Sequence, residues 1–308
     1  MPQVDGFLNV CKPLGWTSHD VVGFVRRRVG QQRVGHAGTL DPAATGVLPL
    51  CLGRATRLAD RVAAGAKLYA ADVVLGFETD SCDAEGRALL TGGPPASAVG
   101  APSLDMILQA LAELQGEIQQ VPPHYSAVKV GGEAAYARAR RGEAVALAPR
   151  PVTVHGTCVL AWEPPRLSLL VRCSRGTYVR ALARDVGARV GCGAYLDALV
   201  RLAVGGFTLA GAIALEELEE QAAAGRWEVL VDPPDRAAVD LPAAILGAVA
   251  AAHFAHGRAW DAANPGVPRD ARAYGTDGRF LGLLRAGVPP ARWQPALSFV
   301  YDAGAAVG

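Results

Sequence analysis

A chain of 308 residues, 51% of them hydrophobic and 19% charged, has the make-up of a folded globular protein with room for one large domain and a small one. Its formal net charge is only +1, so any contact with a polyanion must come from local positive patches. The longest apolar stretch, around 241–255, is alanine-rich and broken by Gly247 and His253, short of the roughly 20 strongly apolar residues a membrane span needs.

Residues 17–30 read as a helix, with Ser18 as N-cap, an apolar stripe of Val21, Val22, Val25 and Val29, and Gly30 as its stop. The run Arg26-Arg27-Arg28 then faces solvent or a polyanion. From 35 to 54 the chain is punctuated by Gly, Pro and Thr. A strand follows over 68–77, then an acidic turn from Thr79 to Gly86 and a Gly/Pro/Ser/Ala linker over 92–103. Ser103 caps a helix whose stripe is Leu104, Ile107, Leu108, Leu111 and Leu114, stopped by Gly116. Residues 119–150 mix turn signals with basic and aromatic side chains. Clean alternation over 166–173 (Leu167, Leu169, Val171, Cys173) makes a strand. It runs through Ser174-Arg175-Gly176 into a helix that buries Val179, Leu182, Ala183, Val186 and Val190. Composition shifts at Asp232-Pro233-Pro234-Asp235, and short strands at 271–275, 279–284 and 297–301 surround the hairpin signal Thr276-Asp277-Gly278.

Met1 to Val10 holds no basic region followed by an apolar core, so a cytoplasmic location is expected. The six scattered cysteines, Cys11, Cys51, Cys82, Cys158, Cys173 and Cys192, show no metal-ligand spacing and read as small buried hydrophobes. Only Lys12, Lys67 and Lys129 are lysines, so arginine carries nearly all the positive charge. That bias suits phosphate recognition and equally reflects a G+C-rich coding sequence.

The densest signal is the run from Gly35 to Pro49, in which two glycines and a proline flank Asp41. It reads either as a tightly held loop presenting a carboxylate or as a helix start, with Asp41 as N-cap and Pro42 at the first position. His36 alone reads as a hydrogen-bonded structural residue, Tyr69 as a core aromatic of its strand and Arg180 as a solvated helix arginine.

Together these segments resemble the TruB family of tRNA pseudouridine synthases. The resemblance rests on Gly6 to Ser18 (ending Lys12-Pro13-Leu14-Gly15-Trp16-Thr17-Ser18), the loop 35–53, and Tyr69 through Gly86. It continues in Val121-Pro122-Pro123-His124-Tyr125-Ser126-Ala127-Val128-Lys129 and Cys173-Ser174-Arg175-Gly176-Thr177-Tyr178-Val179-Arg180. The motifs run in the family's order over about residues 5 to 210.

The resemblance implies that Asp41 is the catalytic aspartate, attacking the uridine at the base or at the sugar while the glycosidic bond breaks. Arg180 then pairs with that carboxylate and orients it. Tyr69 stacks on the target base and is placed to help proton transfer; Tyr178 and Leu199 line the uracil pocket. His36 helps hold the RNA loop with its base extruded, because a stacked nucleotide must be flipped out before chemistry can reach it. Asp80 and Asp83, alone, read as turn caps rather than a metal site; by resemblance their turn helps build an arginine–aspartate network. Residues 119–150 resemble an RNA-clasping loop, with Lys129, Arg138, Arg140 and Arg141 as candidate phosphate contacts. Val200 departs from the pattern, standing where many relatives carry a basic residue.

The fold so implied is α/β (α+β). Residues 1–234 form a pseudouridine-synthase catalytic domain on a mixed, largely antiparallel central sheet, with flanking helices from 17–30, 104–115 and 177–190. A basic cleft is expected across the sheet, with Asp41 at its floor. Residues 235–308 resemble, faintly, a small β-rich PUA-like RNA-binding domain. The implied reaction is isomerisation of the T-loop uridine of tRNA, with no cofactor, no metal, no membrane and no obligatory protein partner, by a monomer on the T-arm stem-loop. A guide-RNA-dependent rRNA synthase is the nearest competitor, disfavoured because the chain begins close to its first motif. A tRNA-binding chaperone with vestigial chemistry is argued against by intact Asp41, Tyr69 and Arg180. An unrelated hydrolase with an aspartate nucleophile lacks the second acid or metal ligands it would need.

Overall fold

The computed structural model describes residues 3–89, 100–126, 128–130, 132–134, 138, 141, 147–261, 270–287 and 292–300. Strand β1 (Gly6–Lys12) leads into helix α1 (Ser18–Val29), then β2 (Val34–His36), β3 (Ala44–Leu52), helix α2 (Ala59–Ala64) and β4 (Lys67–Leu75). A small hairpin, β5 (Glu78–Thr79) with β6 (Ala88–Leu89), precedes helix α3 (Leu104–Glu113) and β7 (Gly116–Gln120). A second small hairpin follows, β8 (Lys129–Val130) with β9 (Glu133–Ala134). Then come β10 (Arg150–Glu163), β11 (Arg166–Cys173), helix α4 (Val179–Val190), β12 (Ala194–Val204), β13 (Phe207–Thr208) and helix α5 (Leu215–Ala223).

These strands build a nine-stranded sheet in the order β1-β3-β12-β4-β11-β10-β7, with β2 on β3 and β13 on β12. Only β3 and β12 run parallel; the other pairs are antiparallel. The sheet is therefore mixed and largely antiparallel, as the sequence implies. Alternation explains which face is buried: Leu167, Leu169, Val171 and Cys173 of β11 join Tyr69, Ala71, Val73 and Leu75 of β4 in one core. The valine stripe of α1, Ile107 and Leu111 of α3, and Leu182 and Val186 of α4 pack onto that face.

The cap of helix α1 lies one residue earlier than expected. Thr17, not Ser18, is the N-cap: Asp20 N donates to Thr17 Oγ1 at 3.0 Å and Thr17 N donates to the Asp20 carboxylate at 2.9 Å. That reciprocal capping releases Ser18 to turn inward. Gly30, at φ 65°, ends the helix as expected. Of the three arginines, Arg26 donates to Val34 O and Arg28 pairs with Glu219.

The opposite face carries a second cluster, Phe7, Val47, Cys51, Leu58, Val204 and Phe207, closed by Phe299 from the C-terminal segment. That segment forms β14 (Ala243–Leu246), helix α6 (Ala248–Ala255), β15 (Trp260–Asp261), β16 (Asp270–Gly275), β17 (Phe280–Gly287) and β18 (Arg292–Ser298), five strands ordered β14-β16-β17-β18-β15. The hairpin turn sits where Thr276-Asp277-Gly278 places it, with Gly278 N bonded to Gly275 O and φ at 79°. The last strand lies at 292–298 rather than 297–301, because Trp293, not Phe299, is the residue its alternation buries first. Strand β14 and helix α6 have no sequence signal: the alanine-rich run has no apolar–polar period to read. Arg54, Arg57 and Arg61 fasten this segment, donating to the carbonyls of Phe299, Ser298 and Ala237.

Candidate active site

Asp41 lies on the loop between β2 and β3 and starts no helix; the chain passes through a turn, Ala44 N to Asp41 O at 3.0 Å, straight into β3. The loop reading of this segment holds, and the helix-cap reading does not. The Asp41 carboxylate is 45% exposed and is met by the Arg180 guanidinium, Nη2 to Oδ2 at 2.8 Å. Arg180 itself is 6% exposed. It is the second residue of α4, where the strand–turn–helix run 166–190 aims its side chain across to the loop.

The rest of the Arg180 fork is also engaged. Nη1 meets Asp83 Oδ2 at 3.1 Å and Ser81 O at 3.2 Å, and Nη2 donates to Tyr125 O at 2.9 Å. The turn after β5 thus supplies a second carboxylate, as the resemblance implies. Its companion Asp80 is the turn cap, accepting from Arg87 N at 2.9 Å. Cys82 between them adopts φ 61°, a conformation costly for a side-chain-bearing residue.

Tyr69 on β4 is 8% exposed and directly opposite Arg201 of β12. Burial pushes its hydroxyl pKa up, and the Arg201 guanidinium opposes that rise. Leu199 is half-buried, packs against the same core and pairs with Ala71 of β4 and Ala44 of β3. Cross-strand partners share a face, so Leu199, Arg201 and Tyr69 stand together under the Asp41 loop. Tyr178 is half-buried at the N-cap of α4. Its backbone is held by Gln120, whose amide donates to Tyr178 O at 3.2 Å and accepts from Tyr178 N at 2.9 Å. Burial raises the Tyr178 hydroxyl pKa as well.

His36 ends β2, opposite Leu50. Its Nδ1 is buried without a hydrogen-bond partner among the described residues. Burial, and then the charges of Arg201 and His19, hold its pKa below the ordinary histidine value, so the ring is neutral at pH 7. Lys129 opens the small β8–β9 hairpin, and Arg141 is exposed, its N bonded to Arg138 O; Arg140 lies outside the described residues. The root of this segment is tied to the site, since Arg180 and Arg184 bind the carbonyls of Tyr125 and Val121. Two surface cavities, of about 410 Å³ beside Gln31 and Trp227 and about 380 Å³ beside Arg184 and Arg189, contain neither Asp41 nor Tyr69.

Sequence reasoning missed what holds the loop itself. Lys12, fully buried, donates to Pro13 O, Trp16 O and Pro42 O at 2.9, 2.6 and 3.3 Å; burial lowers its pKa to about 8, against the pull of Asp41. Ser18 accepts from Leu40 N and donates to Leu40 O. Arg201, 1% exposed, donates to Val47 O at 2.7 Å, Gly38 O at 3.0 Å and Thr39 O at 3.3 Å. The signal for Arg201 was one cation in an otherwise mostly apolar run, Ala194 to Val204. For Lys12 it was a lysine in a chain nearly free of them.

The Cys51, Cys82 and Cys173 side chains are buried, with thiol pKa values pushed up by burial, to about 12 for Cys51 and about 11 for Cys173. Cys158 is exposed, contrary to its reading as a buried hydrophobe. No helix among the described residues is long and apolar enough to cross a membrane.

Known proteins resemble this chain over most of its length. Residues 26–179 match the N-terminal domain of the TruB family pseudouridylate synthases, and residues 180–237 match a tRNA pseudouridylate synthase B C-terminal domain. A tRNA pseudouridine synthase B of Dehalococcoides mccartyi (strain CBDB1) is 39% identical over 297 residues, 96% of this chain and 97% of its own. One from Arthrobacter sp. (strain FB24) is 50% identical over 225 residues, 71% of this chain and 72% of its own. Among solved structures, a chain of a Cbf5-Nop10-Gar1 complex superposes with a TM-score of 0.70 at 27% identity, covering 91% of this chain and 78% of its own. On the family match and on the length and identity of these relatives, the chain belongs to the TruB family of pseudouridylate synthases.

Proposed function

We propose that this chain isomerises one uridine of transfer RNA, in the T loop at position 55, to pseudouridine, with Asp41 as the reacting carboxylate. The observation that carries the assignment of Asp41 is its ion pair with Arg180, a buried guanidinium anchored on its other side by Asp83. Arg180 is thereby held in one orientation, and so is the carboxylate it meets.

The reaction keeps every non-hydrogen atom of the base. The bond from the sugar to the ring nitrogen breaks, the base turns, and a bond from carbon five to the sugar replaces it. A proton leaves that carbon and one is gained at the freed nitrogen. Asp41 acts as nucleophile, on the base or on the sugar. Tyr69 carries the base on its ring face and lends its hydroxyl to the proton transfer; Tyr178 and Leu199 close the pocket. His36 supports the extruded RNA loop as a neutral ring. Lys129 and Arg141 contact phosphate from the segment that leaves the site at Tyr125. Residues 235–308 form the PUA-like unit, and residues 1–234 the catalytic one. The enzyme works as a monomer in the cytoplasm, with no cofactor.

The guide-RNA-dependent alternative is the weaker reading, because the two relatives above, 39% and 50% identical to this chain, are both named tRNA pseudouridine synthase B.

The test uses a T-arm stem-loop carrying tritium at carbon five of its uridines, with wild type and Asp41→Asn, and a binding assay for both. Wild type releases tritium; the variant binds with unchanged affinity but releases it at least about 1,000-fold more slowly, the scale on which loss of a nucleophile is felt. Tight binding without release by wild type would sink the enzyme reading for this substrate.

A further inference from the structure

Arg201 is nearly inaccessible to solvent, yet no carboxylate forms an ion pair with it among the described residues. Burying a charge is costly unless it is paired or fully hydrogen-bonded, and a core methionine or leucine would fill the same space without that cost. The guanidinium therefore calls for a reason, and its partners supply one. Two of its three carbonyl acceptors, Gly38 O and Thr39 O, belong to the loop that carries Asp41; the third, Val47 O, belongs to the strand that the loop enters.

The loop's carbonyls can be followed one by one. Gly38 O and Thr39 O are held by Arg201, and Leu40 O by the Ser18 hydroxyl. Asp41 O accepts from Ala44 N, and Pro42 O accepts from Gly15 N and the Lys12 ammonium. Every carbonyl from Gly38 to Pro42 is thus engaged, without the loop forming helix or strand. Irregular backbone is held in one shape only when its polar groups are satisfied in this way. On the N-terminal side of Asp41 the grip is chiefly Arg201, which spans two successive carbonyls with its planar fork, a geometry that lysine's single ammonium cannot copy. Gly38 contributes the backbone shape: its φ of 117° is a conformation that residues with a side chain rarely adopt.

The same side chain faces the reaction. Its strand register places it opposite Tyr69 on one side and opposite Gly46 on the other. Gly46 is the residue whose missing side chain lets β3 approach β12; a Cβ there would sit 2.3 Å from Arg201 O. Arg201 is consequently at the junction of the strand bearing the base-stacking tyrosine and the strand led in by the catalytic loop.

We propose that Arg201 is a positioning residue of the isomerisation, its guanidinium holding the Gly38–Thr39 backbone so that the Asp41 carboxylate stands where the flipped nucleotide presents its glycosidic bond. This rests on the reading of Asp41 as nucleophile given above. Reacting atoms misplaced by about 1 Å cost on the order of 100-fold in rate, so the effect belongs in kcat and not in RNA binding.

The test compares wild type, Arg201→Lys and Arg201→Gln. Lysine keeps the charge and loses the fork; glutamine loses the charge and keeps two donors. Tritium release gives kcat and KM on the T-arm stem-loop, and amide hydrogen exchange of the free proteins follows the peptide covering residues 37–44. Thermal melting selects a folded variant. Arg201→Lys is expected to lower kcat by about 10- to 100-fold with KM within about twofold, and to speed exchange in 37–44 but not in helix α4. Arg201→Gln, which loses the charge and whose single amide nitrogen on a shorter stem cannot reach both carbonyls, is expected to lose at least as much of both. Wild-type exchange and wild-type kcat in a folded Arg201→Lys would overturn the proposal, as would equal losses in kcat and in RNA binding. If wild type itself releases no tritium while the exchange difference appears, the function reading fails and not the clamp on the loop.

Discussion

Arg180 illustrates how much a single side chain can join. Its guanidinium touches Asp41, Asp83, Ser81 O and Tyr125 O together, which needs a planar fork rather than a point charge. Arg180→Lys therefore keeps the charge and loses the geometry. We expect tritium release to fall by about 100-fold while RNA affinity stays within a factor of about two. Unfolding free energy should drop by about 1–3 kcal/mol, because one ammonium cannot meet Asp41, Asp83, Ser81 O and Tyr125 O together and leaves a buried acceptor unmet. A variant that melts normally and keeps its rate would show that charge alone is what Asp41 requires. Both sequence readings of Arg180 were reasonable locally: an arginine at the start of a helix is usually solvated. What the residue alone could not reveal is that Asp83 and Tyr125, 97 and 55 positions away, fold against it.

At the scale of elements, the site depends on one parallel join in an otherwise antiparallel sheet. β3 meets β12 through Gly46 and Arg201, and the backbone of Gly46 at φ 99° lies too close to Arg201 O for any Cβ. Gly46→Ala should cost about 2–4 kcal/mol, the scale of backbone strain added to a buried clash, and should lower activity at temperatures where the protein remains folded. Chemical denaturation measures the first and single-turnover release the second. Helix α1 responds more gently: Thr17→Ala should lose about 1 kcal/mol, the usual value of an N-cap, and an unchanged denaturation midpoint would refute the capping box. The periodic stripes of α1 and α4 were legible because each must bury one face; of the stripe expected in α3, Ile107, Leu111 and Leu114 are buried while Leu104 and Leu108 face solvent. The cap of α1 was misplaced by one residue because Thr17 and Ser18 are both good caps, and only the inward demand of Leu40 for a hydroxyl assigns Ser18 elsewhere.

For the whole molecule, two consequences follow from what is buried between the sheets. Phe299 closes the cluster formed by Phe7, Val47 and Phe207, and Arg54, Arg57 and Arg61 bind carbonyls of the C-terminal segment beside it. Phe299→Ala should cost about 3–5 kcal/mol and raise hydrogen exchange across β16–β18; a rise confined to the residues next to Phe299 would argue against a shared core. The second consequence concerns pH. Lys67 is 7% exposed and its pKa is lowered by burial, and then by Arg201, from 10.5 to about 8. Below about pH 8 the folded protein bears a buried charge. Between about 8 and 10.5 the unfolded chain holds a proton that the folded one has released, so this contribution makes the protein more stable as pH rises. The thermal midpoint of wild type minus that of Lys67→Met should be flat from pH 6 to 7.5 and grow from pH 8 to 10. A constant difference would mean that Lys67 titrates normally. Lys12, lowered similarly, is common to both proteins and cancels.

The helices over 17–30, 104–115 and 177–190, the strands over 68–77 and 166–173, and the family with its candidate catalytic residues are legible in the sequence alone, whereas β1, β2, β3, β7, β10 and β12 went unread. Apolar periodicity and turn chemistry are local, and the motifs around Asp41, Tyr69 and Arg180 stand as unbroken runs of residues. Only the tertiary structure decided that Asp41 leads into a strand instead of capping a helix, and that Lys12, Ser18 and Arg201 hold its loop. Each of those contacts links positions that are between 22 and 163 residues apart. A hydrogen bond to a backbone carbonyl carries no side-chain signature at the accepting position, so nothing in Gly38, Thr39 or Pro42 announces its partner. The C-terminal sheet was only half legible for a related reason: β14 and α6 are alanine-rich and lack a polar face, and what shapes them is the surface they pack against.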